Sequence, residues 1–211
     1  VEEAIRLVEA HGGSVTVLTL GPEAAIEQLR FALAQGANQA ILLETGGSDW
    51  DPVATARAIV AAIQAQENRF DLLLFGNESA DSGGYQVGIR VAQALDLPCV
   101  TGVKALEISN GMATAKREAA GGWEIFEVAL PAVITVKEGI NLPRYPSLPG
   151  RLRAKKASIQ RIEPKPEPGG PEKIRLRVPT EKHQSAEILG QGPGAAPRVV
   201  EILQKIGVVE G

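Results

Sequence analysis

The residues most suited to chemistry form one stretch, Gly76-Asn77-Glu78-Ser79-Ala80-Asp81-Ser82-Gly83-Gly84-Tyr85-Gln86-Val87-Gly88, between an apolar run at 71–75 and a helical pattern over 84–95. Adjacent glycines let a backbone turn sharply and approach a ligand closely. Unpaired amides at the start of the following helix make an anion site that the helix dipole favours. Ser82 adds a hydroxyl, and Asp81 is placed either to cap the helix or to meet a ribose hydroxyl. The stretch reads as the mouth of a nucleotide site. On spacing alone, an ordinary turn with Asp81 or Ser82 capping the helix fits equally well. Gly83, Gly84 and Gly88 do not make a G-x-G-x-x-G fingerprint, and no G-x-x-x-x-G-K-[ST] loop occurs.

Other chemistry is poorly supported. His11 closes a helix, where a cation suits the dipole, and His183 lies in the proline-rich tail. Two unconnected histidines and one cysteine supply neither a metal set nor a nucleophile–base pair. Cys99, after a proline in an apolar stretch, reads as core, and the Glu78/Asp81 spacing is commonplace.

The elements around the loop repeat one unit. Helix 2–11 stops at Gly12-Gly13, and strand 15–20 turns at Gly21-Pro22 into helix 23–35, which stops at Gly36. Strand 40–44 leads to Asp51-Pro52, an N-cap and first helical residue opening helix 52–66, followed by strand 70–75. Such alternation predicts right-handed crossovers and a parallel-sheet α/β fold whose ligands bind beyond the strands' carboxyl ends. Later the pattern changes. Segments 103–109 and 112–118 flank Asn110-Gly111, a hairpin signal. A second antiparallel element puts Phe126, Val128 and Leu130 on one face, and 132–136 is a buried strand. From Lys137 the chain is proline-rich and basic, with little periodicity until a short amphipathic helix near 197–203. The expected division is an α/β nucleotide-binding domain over 1–136 and an extended arm over 137–211.

Composition agrees with that fold. Of 211 residues, 44% are apolar, 22% charged and only 4% aromatic, so Val, Ile, Leu and Ala must build the core. No apolar run of bilayer length occurs, no secretory leader is visible, and a lone cysteine suits a reducing, intracellular compartment. The first residues already read as helix without a cap, which suggests that an earlier strand is missing. Residues 131–176 carry ten Lys or Arg against four Glu, a balance of +6, leaving −9 elsewhere in a total of −3. That split is too mild for a nucleic-acid protein, and it suits a charged protein partner.

Five segments, in order and covering nearly the full chain, resemble the β subunit of electron transfer flavoprotein. They are Val1-Glu2-Glu3-Ala4-Ile5-Arg6-Leu7 with Thr19-Leu20-Gly21-Pro22; Ala32-Leu33-Ala34-Gln35-Gly36-Ala37; the loop 76–88; Arg117 with Gly121-Gly122-Trp123-Glu124 and Pro131-Ala132-Val133-Ile134-Thr135; and Pro143-Arg144-Tyr145-Pro146-Ser147-Leu148-Pro149 with Ala154-Lys155-Lys156. Ala120, where the signature has an acid, and Phe126, where it has an aliphatic, depart from the pattern, as does the absent N-terminal strand.

The resemblance implies an electron carrier rather than an enzyme. The chain would form an obligate heterodimer with an α subunit that holds most contacts to a redox-active FAD. This chain would bind AMP structurally, through Leu20 and Gly76, Asn77, Glu78, Ser79, Ala80, Asp81, Ser82, Gly83, Gly84, Tyr85, Gln86 and Val87. Electrons would come from acyl-CoA or other flavin dehydrogenases and leave for a membrane-bound quinone reductase, in a bacterial cytoplasm or a mitochondrial matrix. The family's recognition loop maps onto 136–158, with Leu148 as anchor beside Arg144, Tyr145 and Pro149. Arg151, Arg153, Lys155 and Lys156 would steer an acidic partner. Two rivals remain: a bifurcating β subunit with a second FAD in the AMP site, and a stand-alone ATP-binding α/β protein or related pyrophosphatase.

Overall fold

Ile41, Leu42 and Leu43 are 2% exposed or less, because the strand that carries them is covered on both faces. Leu42 faces one apolar cluster, and Ile41 and Leu43 face another. Such double burial is the pattern of a parallel strand between helical layers. The computed structural model describes residues 1–167, 170, 174–178 and 186–209. They fall into two units, Val1–Glu172 and Lys173–Gly211.

In the first unit the order is α1 (Glu2–His11), β1 (Thr16–Gly21), a 3-10 turn (Glu23–Ala25), α2 (Ile26–Gln35), β2 (Gln39–Glu44), α3 (Pro52–Gln64), β3 (Leu72–Gly76), α4 (Val87–Ala94), β4 (Cys99–Ser109), β5 (Met112–Ala119), β6 (Gly122–Ala129), β7 (Ala132–Val136), α5 (Leu148–Lys156) and β8 (Gln160–Ile162). The expected α/β fold is present, with its parallel strands in two hydrogen-bonded sheets. One is β1-β2-β8, parallel throughout. The other is β3-β7-β4-β5-β6, parallel across β3, β7 and β4 and antiparallel across the β4–β5–β6 meander. The two sheets share cores: Leu18 and Leu20 of β1 pack on the same cluster as Leu73 and Phe75 of β3.

Local chemistry sets the element ends. Asp51 caps α3, its Oδ1 accepting from Val53 N at 2.7 Å and Ala54 N at 3.2 Å, with Pro52 behind it. Asn110 and Gly111 turn β4 into β5 with φ of 50° and 74°. Phe126, Val128 and Leu130 lean together on the meander's core, as their spacing predicts, while Trp123 and Ile125 are exposed.

Two elements differ from expectation. The helix expected from 84 begins at Val87, because Gly83 (φ 56°) and Tyr85 (φ 54°) hold left-handed conformations that a helix cannot include. The segment read as irregular after Lys137 contains α5 and β8. Ser147 Oγ accepts from Gly150 N at 3.1 Å, capping α5, and Arg153, Lys155 and Lys156 fill its last turn.

The second unit contains a 3-10 turn (Gly192–Ala195) and α6 (Ala196–Lys205), which covers the expected 197–203 helix. None of α6 is buried, and Val199, Val200 and Ile202 join Ile174, Leu176, Val178 and Ile188 among the exposed apolar residues. Arg198 pairs with Glu187 at 2.6 Å within this unit.

Candidate nucleotide site and docking segment

Gly76 ends β3, and the chain leaves the sheet at the carboxyl edge, where ligands of parallel sheets bind. Asn77 N donates to Val136 O of β7 at 3.1 Å, fixing the exit. The return is fixed at Gly88, where an added Cβ would meet Thr135 Cγ2 at 2.9 Å and Phe75 at 3.3 Å. Only glycine lets α4 lie so close to β3 and β7.

Between these anchors the described hydrogen bonds are local. Gly83 N donates to Ser79 O at 2.8 Å, the Ser79 and Ser82 hydroxyls lie 2.6 Å apart, and Ser82 N donates to Asp81 Oδ1 at 2.8 Å. Glu78, Ser79, Ala80, Asp81, Ser82 and Gly83 are exposed, Gly84 is half-buried, and Tyr85 and Gln86 are exposed. The residue before α4 is Gln86, whose side chain accepts from Arg90 and caps no amide. Asp81 and Ser82 therefore lie outside the helix start, and neither caps it. The first N–H groups of α4 carry no side-chain cap, so they stand beside those of the turn as donors that an anion could use. Leu20, half-buried next to the end of β1, and Val87 pack on the same cluster as Phe75. The carboxyl ends of β1 and β3 thus lean on one core.

The candidate docking segment is built differently. Arg144 turns inward. Its guanidinium bonds Glu2 at 3.0–3.1 Å and Glu9 at 2.5–2.8 Å, and its backbone N–H donates to Glu2 Oε2 at 3.0 Å. Glu2 is buried. Arg144's hydrogen bonds hold the carboxyls of Glu2 and Glu9 below the usual range, and the two carboxylates raise the guanidinium above its own. Behind α5, Arg30 of α2 donates to Ala154 O at 2.6 Å, Lys155 O at 3.3 Å and Ala157 O at 3.4 Å, closing the helix's carboxyl end. Arg153 donates to Leu33 O at 3.3 Å, and Gly150 lies flat on Ala34 O. On this platform Tyr145 is 91% exposed and Leu148 72%, with Pro149 exposed beside them. Leu148 is the first residue of α5. The supports Glu2, Glu9, Arg30 and Gly150 were not legible as site residues, since only the fold brings them to this segment.

A cavity of about 520 Å³ opens between α1, α2 and the start of α5, lined by Val8, Gln35, Arg144 and Gly150 among others. The loop 76–87 lines no part of it. Catalytic candidates stay apart. Cys99 is half-buried, and burial pushes its thiol up, away from the reactive anion. His11 is the exposed last residue of α1, and His183 lies outside the described residues. Among the described residues, no cluster of His, Cys, Asp and Glu is placed to hold a metal. No helix among them is long and apolar enough to cross a membrane.

The profile of the electron transfer flavoprotein domain matches residues 1–167. The chain is 41% identical over 163 residues to electron transfer flavoprotein subunit beta of Bacillus subtilis (strain 168), covering 77% of this chain and 63% of that one. It is 41% identical over 165 residues to the subunit of the same name from Mycobacterium tuberculosis (strain ATCC 25618 / H37Rv), covering 75% and 62%. It is also 39% identical over 167 residues to Protein FixA of Sinorhizobium fredii, covering 75% and 58%. The chain belongs to the electron transfer flavoprotein family and resembles its β subunits, as the five segments implied. It spans 58 to 63% of the length of these relatives.

Proposed function

We propose that this chain works as the β subunit of an electron-carrying heterodimer. Its α subunit holds a redox-active FAD, and this chain holds AMP as a structural ligand between Leu20 and residues 76–87. Electrons enter from acyl-CoA or other flavin dehydrogenases docking at Leu148 and leave for a quinone reductase, with no chemistry on a substrate. The observation that carries the reading is the pairing of two features in one family member: a small-residue loop at the sheet's carboxyl edge, and an exposed leucine on a clamped helix start. A rigid apolar tip with a polar rim suits a transient interface, because little side-chain order is lost on docking. The exposed apolar residues of 174–209, with α6, are the surface that packs on the α subunit, and the chain divides functionally near residue 136. Its place is the bacterial cytoplasm.

The test is to purify the chain with its α subunit, denature the complex and count released nucleotides. One FAD and one AMP per complex is the expected result. Two FAD and no AMP would convert the reading to the bifurcating type, and a complex without adenine nucleotide beyond one FAD would overturn the site.

A further inference from the structure

Where β3, β4 and β7 run side by side, three groups form a short hydrogen-bond chain. Gly102 N donates to Thr135 Oγ1 at 3.0 Å, and Thr135 Oγ1 donates to Asn77 Oδ1 at 2.9 Å. The Thr135 hydroxyl thus accepts from a backbone N–H, which can only donate, and gives its single proton to Asn77 Oδ1. Asn77 Oδ1 is therefore occupied by the Thr135 hydroxyl, at the first position beyond β3, which leaves the Nδ2 protons as the side chain's remaining donors. Among the described residues Nδ2 makes no hydrogen bond, and Asn77 N is already committed to Val136 O. Thr135 is 4% exposed, which keeps water from competing for the hydroxyl. Gly102, at φ 71°, stands at the register shift between Val100 and Val103 where β4 passes β7, and a Cβ there would meet Arg117 Cδ at 3.3 Å. The bulge aims this N–H at Thr135.

We propose that Thr135 is a positioning residue of the nucleotide site, turning Asn77 so that its amide protons face a phosphoryl oxygen of the bound nucleotide. An amide free to flip can meet a donor or an acceptor. One whose oxygen is already occupied offers donors alone, which matches phosphoryl oxygens and mismatches the mixed edge of adenine. Residues 76–87 contain no Lys or Arg, so neutral donors, the N–H groups with the Ser79 and Ser82 hydroxyls, are what the loop has to offer an anion. The inference rests on the reading of 76–87 as a nucleotide site.

The test uses the natural complex, stripped of nucleotide and titrated calorimetrically with AMP and with adenosine. Thr135→Val keeps the volume and deletes the hydroxyl. It is expected to weaken AMP about tenfold, the worth of one oriented hydrogen bond to an anion, and to leave adenosine unchanged. Thr135→Ser restores AMP binding. Asn77→Asp, which still accepts from Thr135 and donates nothing, weakens AMP further than Thr135→Val and spares adenosine. That variant carries the test if Thr135→Val fails to fold. Equal losses for AMP and adenosine, or wild-type AMP affinity in both variants, would overturn the positioning role alone. A wild-type complex that takes up neither ligand would overturn it together with the site.

Discussion

The candidate nucleotide loop and the candidate docking segment are both surface stretches, and the fold treats them in opposite ways. Residues 78–83, 85 and 86 are exposed, and the bonds described within this loop run to near neighbours, with tight fits to the sheet at Asn77 and Gly88. Residues 144–157 are bonded at long range: Arg144 to Glu2 and Glu9, and two carbonyls of α5 and that of Ala157 after it to Arg30 across more than 120 positions. The loop is held by short-range bonds, whereas the candidate docking segment is held by residues far away in sequence. A resident ligand can repay ordering once per lifetime of the complex. A partner that comes and goes would repay it at every encounter, so preorganisation belongs on the docking side.

The contrast can be broken at its strongest point first. Gly150→Ala forces a Cβ onto Ala34 O, and the unfolding free energy should fall by about 3 kcal/mol. The measurement is urea unfolding, and an unchanged midpoint would mean that α5 is not clamped. Arg144→Ala leaves buried Glu2 unpaired and should cost about 2 kcal/mol, less than a fully buried pair because Arg144 is partly exposed. It also carries a pH signature. The folded-state values of Glu2 and Glu9 are depressed, so their contribution is complete above the ordinary glutamate range and is lost as pH falls through the folded values. Repeating the unfolding series toward acid should show that loss in the wild type and a flatter profile in Arg144→Ala. The smallest thermodynamic change should come from Leu148→Ala. Because Leu148 is already exposed, the unfolding midpoint should stay put, while reduction by a dehydrogenase falls about tenfold, or about 1.4 kcal/mol. Normal reduction would remove the anchor from the docking segment.

Much of this was readable from residue order. Apolar runs marked β2, β3 and β7, Asn110-Gly111 marked the β4–β5 turn, and Asp51-Pro52 marked the start of α3, because each depends on contacts close in sequence. The start of α4 lies three residues beyond the position that the sequence pattern predicts, since glycine pairs permit several backbone paths and the left-handed Gly83 and Tyr85 decide among them. The α5 helix escaped because its face is basic and nearly without apolar periodicity. Ser147, Pro149 in the first turn and the basic last turn are its local marks. The loop's place at the carboxyl edge followed from strand–helix alternation. The Thr135–Asn77 bond joins residues 58 positions apart, and no pattern within either segment announces it.

The pairing of β8 with β2 joins Ile41 to Gln160 and Leu43 to Ile162, so it closes a loop of more than a hundred residues. Such closures carry a large entropic cost and come late relative to the local β1–α2–β2 unit. On a ribosome the order is stricter still. The strand that pins the end of α5 cannot pair until the chain has passed residue 162, by which point every residue of the nucleotide loop has been synthesised. The vectorial order of translation therefore leaves the β2–β8 pairing, and the surface around α5, among the last parts of the first unit to be finished.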